Sequence, residues 1–492
     1  MNTKPDHSGI IDYNAAISTD IDENYRLFSR IFQNDDTVVL RMFENRYDPS
    51  IRFLGICVNG MIKTNSIYQS ITAPLMQMQF HENIDRMQQV QKEIITSLDL
   101  KSRITVSDVV QDILYGDTAI FVSGSGSAVS VETKGWSSRS ISEPDSEKSL
   151  KGSKEGFTEA MIVNTSLIRR RILTSDLKFQ FLRLGTRTNT LVCVAYMESL
   201  VDKKVLTDFL RRLKTVKSDS VLDVNYINEQ IKDRRYSPFK TSGSTEKPDV
   251  AAAQLLEGRI ALLVDGSPIV MTVPYLFIEN FQSPDDYYLN FYFASIGRLL
   301  RIIGFLVTIS LPSIYLALIT YHREMLPASF STAIAEAAKG VPFPTFVECI
   351  LMLFVFEVLR ETGIRMPGKI GQALSIVGGL VVGQAAVEAK IVSAPMVIVI
   401  AFTGITGLIV PRLNGAVILI RLLALLCTAI LGLYGFVLFM IVVLIHLLSI
   451  QSYSYPYIAL STQPQAVKDI YIRAPLNKMK TRPMFAKDRY RR

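Results

Sequence analysis

Catalytic signatures are missing from this 492-residue chain. Its four histidines, His7, His81, His322 and His446, form no HExxH pair, and no lysine completes a phosphate-binding Walker loop. Gly124-Ser-Gly126 lacks the third glycine of a dinucleotide loop and its strand-to-helix setting. Cysteine is scarce as well: Cys57, Cys193, Cys349 and Cys427 stand apart, with no CxxC or metal spacing, and read as buried or free thiols. The one tryptophan, Trp136, reads as a packing anchor. At the N-terminus no basic segment precedes an apolar one, so no secretory signal is legible and the soluble part is expected in the cytoplasm. These gaps turn the reading away from enzymes, cofactors and metals and toward transport, channel or receptor work.

What the chain has is a concentration of apolar sequence in its last third. Five apolar segments follow one another, 302–320, 343–359, 371–387, 391–410 and 416–450. The first, uncharged and about 1.5 Å long per residue as a helix, is able to cross a hydrocarbon layer of about 30 Å. The fold class expected is an α/β cytoplasmic head of two subdomains followed by a polytopic α-helical membrane domain. Its parts are a polar N-terminal segment 1–24, a first subdomain 25–136, a linker 137–156, a second subdomain 157–286, a transmembrane domain 287–450 and a basic tail 451–492. Each subdomain is large enough to bury its own core.

Within the head, helical patterning covers 84–98 and 201–214. Hairpins are expected for 119–122 with 128–131, for 177–184 with 190–197, and for 260–264 with 269–273 around Asp265-Gly266. No internal repeat between the halves is legible. Arg169-Arg-Arg171 reads as a solvated helix face, with docking on membrane or partner as the alternative; Arg298 and Arg301 read as anchors beside the first span.

The formal charge of +8 is concentrated after Ala466, where nine basic residues face Asp469 and Asp488. Such a cluster beside a membrane segment marks the cytoplasmic side and is attracted to anionic lipid, which makes Lys478, Lys480, Arg482, Lys487 and Arg489 candidate lipid-facing residues; a nucleic-acid tail is disfavoured by this position. With both ends cytoplasmic the number of crossings is even. Four result if 343–359 lies shallow, and six if 416–450 turns near Gly432 to Gly435; the basic residues Arg360, Arg365 and Lys369 favour six.

The third apolar segment carries Gly371, Ser375, Gly379 and Gly383 at intervals of four, a small-residue helix face that lets backbones approach closely. Two readings stand. The stripe packs within one subunit, or it packs identical subunits around an axis with Ile376, Val377 and Leu380, or Gln372 and Gln384, turned toward a pore. Glu388 at the following tip is the candidate pore-mouth or interface carboxylate, whereas Glu348, Glu357, Arg421 and His446 lie near segment ends, where snorkelling or local pairing suffices.

The run LLEGRIALLVDGSPIVMTVPYLFIENFQSPDDYY, followed by SLPSIYLALITYHREMLP, GVPFPTFVE, FEVLRETGIRMP and GQALSIVGGLVVGQAAVEAKIVSAPMVIVIAFTGI, resembles the A subunits of GerA-type spore germinant receptors. KGWSSRSISEPDSEKSLKGSKEGFTEAM and NTSLIRRRIL resemble the same family, so that the likeness covers about residues 25 to 485. It implies a multi-pass protein of the spore inner membrane with a head of two α/β subdomains. It also implies two partners, a transporter-like B subunit and a lipoprotein C subunit, and a ring of A subunits, with a pentamer as the expected count, around a pore for monovalent cations. Lys390 departs from the small or neutral residue expected in relatives. Two functions compete with such a channel subunit: a secondary transporter, against which no inverted repeat is evident, and a non-conducting scaffold of the receptor.

Overall fold

The computed structural model describes residues 12–81, 84–94, 100–135, 147, 151–365, 369–458, 469–470, 472–479 and 486. Trp136 and most of the expected linker lie outside them. The chain divides into two compact units, Met1–Lys232 with Ser242–Pro274 and Lys480–Arg492, and Asp233–Thr241 with Tyr275–Met479. The expected second subdomain, 157–286, therefore contributes to both.

The first unit begins with helix α1 (Ile21–Ile31), capped by the Asp20 carboxylate on the Asp22 N–H, with Ile21, Phe28 and Ile31 on its buried face. Strands β1 (Val38–Glu44), β2 (Arg52–Val58), β3 (Leu100–Arg103), β4 (Thr118–Val122) and β5 (Ala128–Val131) form an antiparallel sheet in the order β1-β2-β4-β5-β3. Alternation sorts its side chains. Leu54, Ile56, Ala119 and Phe121 meet α1 and helix α2 (Val106–Tyr115), while Phe53, Ile120 and Val122 meet the short helical turns of 64–94. This explains why β4 reads as one apolar run, since both of its faces are covered.

The second half repeats the pattern. Helix α3 (Met161–Arg169) is followed by β6 (Leu177–Leu184), β7 (Thr190–Met197), helices α4 (Lys203–Lys214) and α5 (Val224–Ile231), β8 (Gly243–Thr245), helix α6 (Pro248–Leu256), β9 (Ile260–Val264) and β10 (Val270–Val273). The sheet order is β6-β7-β9-β10-β8, the same topology as the first. The three expected hairpins form. Individual hydrogen bonds recur as well. Asn24 clips Ser18, accepting its N–H at 3.1 Å and donating to its carbonyl at 2.7 Å, and Asn164 clips Thr158 at 2.8 and 2.5 Å. The N–H of Gly124 donates to Thr19 O, and that of Gly266 to Glu159 O, both glycines having positive φ. The head thus contains an internal repeat that was not legible from the residues. Its recurring marks are a few polar clips and turns scattered among apolar residues that differ between the halves.

The halves meet through buried polar groups, and Arg169 proves not to be on a solvated face. It is 1% exposed, ion-paired with Asp35, and donates to Thr37 Oγ1 at 3.0 Å and Leu177 O at 3.3 Å. Lys178 Nζ donates to Ile31 O at 3.0 Å, and the Asp36 N–H to Phe179 O at 2.8 Å. Arg170 and Arg171 both pair with Glu155.

The second unit is helical: α7 (Phe291–Thr320), α8 (Ala328–Ala337), α9 (Thr345–Arg365), α10 (Lys369–Glu388), α11 (Ala394–Leu408) and α12 (Asn414–Ser449). Among the described residues two stretches, Phe291–Thr320 and Pro411–Ser449, are long and apolar enough to cross a membrane. The longer one reverses. Gly432 has φ 60° and ψ −144°, a conformation open essentially to glycine, and a Cβ on Gly435 would lie 2.3 Å from the Cys427 carbonyl oxygen, eight residues back. In a continuous helix those residues would be about 12 Å apart. Ala416, Val417 and Ile420 of the first limb and Leu447 of the second join Phe305 and Ile309 of α7 in one cluster. The turn expected near Gly432 is therefore present.

Candidate functional site

The small-residue segment forms α10, which packs beside α9 and α11 of its own chain. A Cβ on Gly378 would sit 3.1 Å from Leu359 Cδ2, and one on Gly383 3.3 Å from Val397 Cγ1. Gly383 is buried, so its missing side chain admits α11 of the same chain. Gly379 is exposed, with Leu359 Cδ1 no nearer than 4.0 Å. Gly371, Gln372, Ser375, Ile376, Val377 and Leu380 lie on the backbone of this helix, and their side chains fall outside the described residues.

Val381, Gln384, Ala385 and Glu388 are exposed and lie at helical spacing along one side, roughly 140–240° around the helix from Gly379. Gln384 Nε2 donates to Glu388 Oε1 at 2.9 Å, which fixes the carboxylate at the helix end. The chain then turns through Lys390 at φ 54°, with the Ile391 N–H on Ala386 O at 2.9 Å. The Lys390 stem crosses Gly340, whose Cβ would lie 3.1 Å from Lys390 Cδ.

Charged groups inside the bundle are paired locally. Glu357 of α9 binds Arg360 and Arg421, joining α9 to α12. Glu348 Oε2 accepts the Ser393 N–H at 2.8 Å, so the carboxylate occupies the start of α11. Arg298 and Arg301 do not extend to a lipid surface. Arg298 is 0% exposed and held by Asp286 and Asp469, and Arg301 makes two bonds of 3.0 Å to Asp286. Arg473 of the tail is buried with its guanidinium 4.7 Å from the Tyr287 ring centre. Lys478 is exposed, whereas Lys480, Arg482, Lys487 and Arg489 lie outside the described residues.

In the head, an open cavity of about 500 Å³ is lined by Tyr13, Arg30, Asn34, Ser175, Lys178 and Glu198, with charges of both signs. Burial holds the Lys178 pKa below its ordinary value. Among the described residues no group of three or more His, Cys, Asp or Glu side chains is placed to hold a metal ion.

Residues 26–485 match the family profile described as Bacillus/Clostridium GerA spore germination protein. The chain is similar to spore germination protein KA of Bacillus subtilis (strain 168), 36% identical over 93% of this chain and 85% of that one. It is similar also to the uncharacterized membrane protein YfkQ of the same organism, 37% identical over 95% of this chain and 91% of the relative. The crystal structure of the N-terminal domain of the A subunit of the Bacillus megaterium spore germinant receptor GerK3 matches 54% of this chain and 98% of that one, at 27% identity and a TM-score of 0.44.

Proposed function

This chain belongs to the Bacillus/Clostridium GerA spore germination protein family, and on that premise we propose that it is the A-type membrane subunit of a nutrient germinant receptor. In this reading it is a multi-pass protein of the spore inner membrane with its head on the core side. It assembles as a homo-oligomer, five copies being the expected number, around a pore for monovalent cations. Transporter-like B and lipoprotein C subunits gate it: nutrient bound by a partner favours the open state only by its differential affinity for that state.

The observation that supports this best is the exposed side of α10. Val381 is followed there by Gln384 and, at the helix end, Glu388, and an amide and a carboxylate facing lipid tails would lose their hydration. A second subunit or a water-filled pore fits this side better. In this reading α7, α9, α10, α11 and the two limbs of α12 are the six passes of the domain.

The test is reconstitution of the full chain in vesicles, read as cation efflux and oligomer mass. An oligomer that conducts is expected; Gly379→Leu should break it if the small-residue side is the subunit contact, because Gly379 is itself exposed and has no atom of its own chain nearer than 4.0 Å to a Cβ there. Val377→Ala should raise leak, since an apolar constriction closes by dewetting. A chain that assembles without conducting would instead be a scaffold, and stoichiometric solute uptake would make it a transporter.

A further inference from the structure

One segment of the helical unit comes from the middle of the head sequence. Residues Asp233–Thr241 leave the second repeat between α5 and β8 and fold with Tyr275–Met479. Ser237 Oγ lies 3.0 Å from His446 Nε2, in the last turn of α12. The Phe239 ring is buried, 6.0 Å from Phe277 and 6.1 Å from His446, in the cluster that contains Phe305 and Ile309 of α7. These two side chains set the height of the loop at the end of the last apolar limb, where Ile445 and Leu448 are exposed on the helix wall.

At that height Arg234, Arg235 and Tyr236 are exposed, Tyr236 to 98%. Among the described residues no carboxylate forms an ion pair with either arginine. Lys240 follows, its pKa lowered by burial and by the nearby Arg412 charge. An arginine fork matches phosphate oxygens, and tyrosine favours the water–hydrocarbon boundary.

We propose that the Arg234-Arg235-Tyr236 loop is a contact for anionic phospholipid headgroups, seated beside the apolar wall of α12. This rests on the membrane assignment above. The loop takes the place that chain order suggested for Arg298 and Arg301, whose charges are neutralised inside the protein. An acidic protein surface is the competing occupant. The apolar residues exposed on the adjoining turn favour lipid, which offers negative headgroups and hydrocarbon side by side.

The experiment uses the full chain carrying Tyr236→Trp and Trp136→Phe in vesicles of phosphatidylcholine and phosphatidylglycerol, with bromine quenchers on one lipid at a time. Blue-shifted emission is expected, quenched more strongly by brominated phosphatidylglycerol. Arg234→Gln with Arg235→Gln should abolish that preference, lowering phosphatidylglycerol binding about fivefold per charge, roughly 30-fold in all. Equal quenching by both lipids, or unquenched emission at the aqueous maximum, overturns the proposal. The difference spectrum between chains with and without Tyr236→Trp, Trp136 being retained, gives the same answer without the second substitution. Extraction of the chain by alkaline carbonate would overturn the membrane assignment itself; resistance with an unquenched tryptophan overturns the lipid contact alone.

Discussion

Asp35 and Arg169 are both cut off from water at the junction of the two repeats, with side chains 0% and 1% exposed. Removing one partner of such a pair leaves an uncompensated buried charge, at a cost of about 3–5 kcal/mol. Arg169→Met should therefore lower the urea midpoint of the head sharply, and adding Asp35→Asn should restore most of it. Equal destabilisation by the single and double variants would mean that the ion pair is incidental. The head thiols give a pH test. Burial raises the Cys57 pKa to about 11 and that of Cys193 well above the ordinary range. At pH 8 about a thousandth of Cys57 is thiolate, so neither thiol should react with maleimide until the chain is denatured. The sign for stability follows: the folded pKa exceeds the unfolded value, so the Cys57 contribution is complete below about pH 8.5 and disappears toward pH 11. Cys57→Ala should flatten that part of the stability profile. An unchanged slope would place the alkaline transition elsewhere.

Among the elements, α12 depends on one glycine. A side chain at Gly432 would meet the Tyr321 ring within about 3.1–3.3 Å, in a backbone conformation that non-glycine residues adopt only with strain. Gly432→Val should add at least about 1–3 kcal/mol and oppose the reversal. Single cysteines replacing Asn414 and Ser449 should label from the same side of a sealed vesicle; labelling from opposite sides would remove the hairpin. Helix α10 separates two glycines that the spacing had joined. Gly383→Leu would strike Val397 of the same chain, so its failure reports folding of the subunit, whereas Gly379→Leu probes whatever lies outside. If Gly379→Leu assembles and conducts as before, the small stripe is not a subunit contact.

At the scale of the whole molecule, the reading of six passes requires both chain ends on one side. Reporters fused at Asn2 and Arg492 should occupy the same compartment, and opposite compartments would refute it. The tail adds a second expectation. Changing Lys478, Lys480, Arg482, Lys487 and Arg489 to glutamine should weaken binding of the tail to anionic vesicles and abolish its salt dependence. Unchanged binding would leave those charges a role in topology only. Arg473, Met479 and Ala486 are buried and Asp469 is bound to Arg298, so the tail charges left for lipid are those outside these contacts.

The amino-acid sequence by itself determined the features set by local pattern. The three head hairpins, the apolar last third and the break near Gly432 follow from alternation, uninterrupted apolar length and glycine placement, which act over a few residues. The GerA family was legible for the same reason, being carried by contiguous motifs. Only the tertiary structure decided which partner each charge meets. Arg169 and Arg298 look like surface groups in the chain, yet Asp35 and Asp469 stand more than a hundred residues away from them. The repeat in the head was hidden likewise, because its marks, the Asn24 and Asn164 clips, are hydrogen bonds whose meaning appears only when both halves are folded. The loop at Arg234 lay unseen because its height beside α12 is set by Ser237 and His446, a contact across 209 positions that no local pattern encodes.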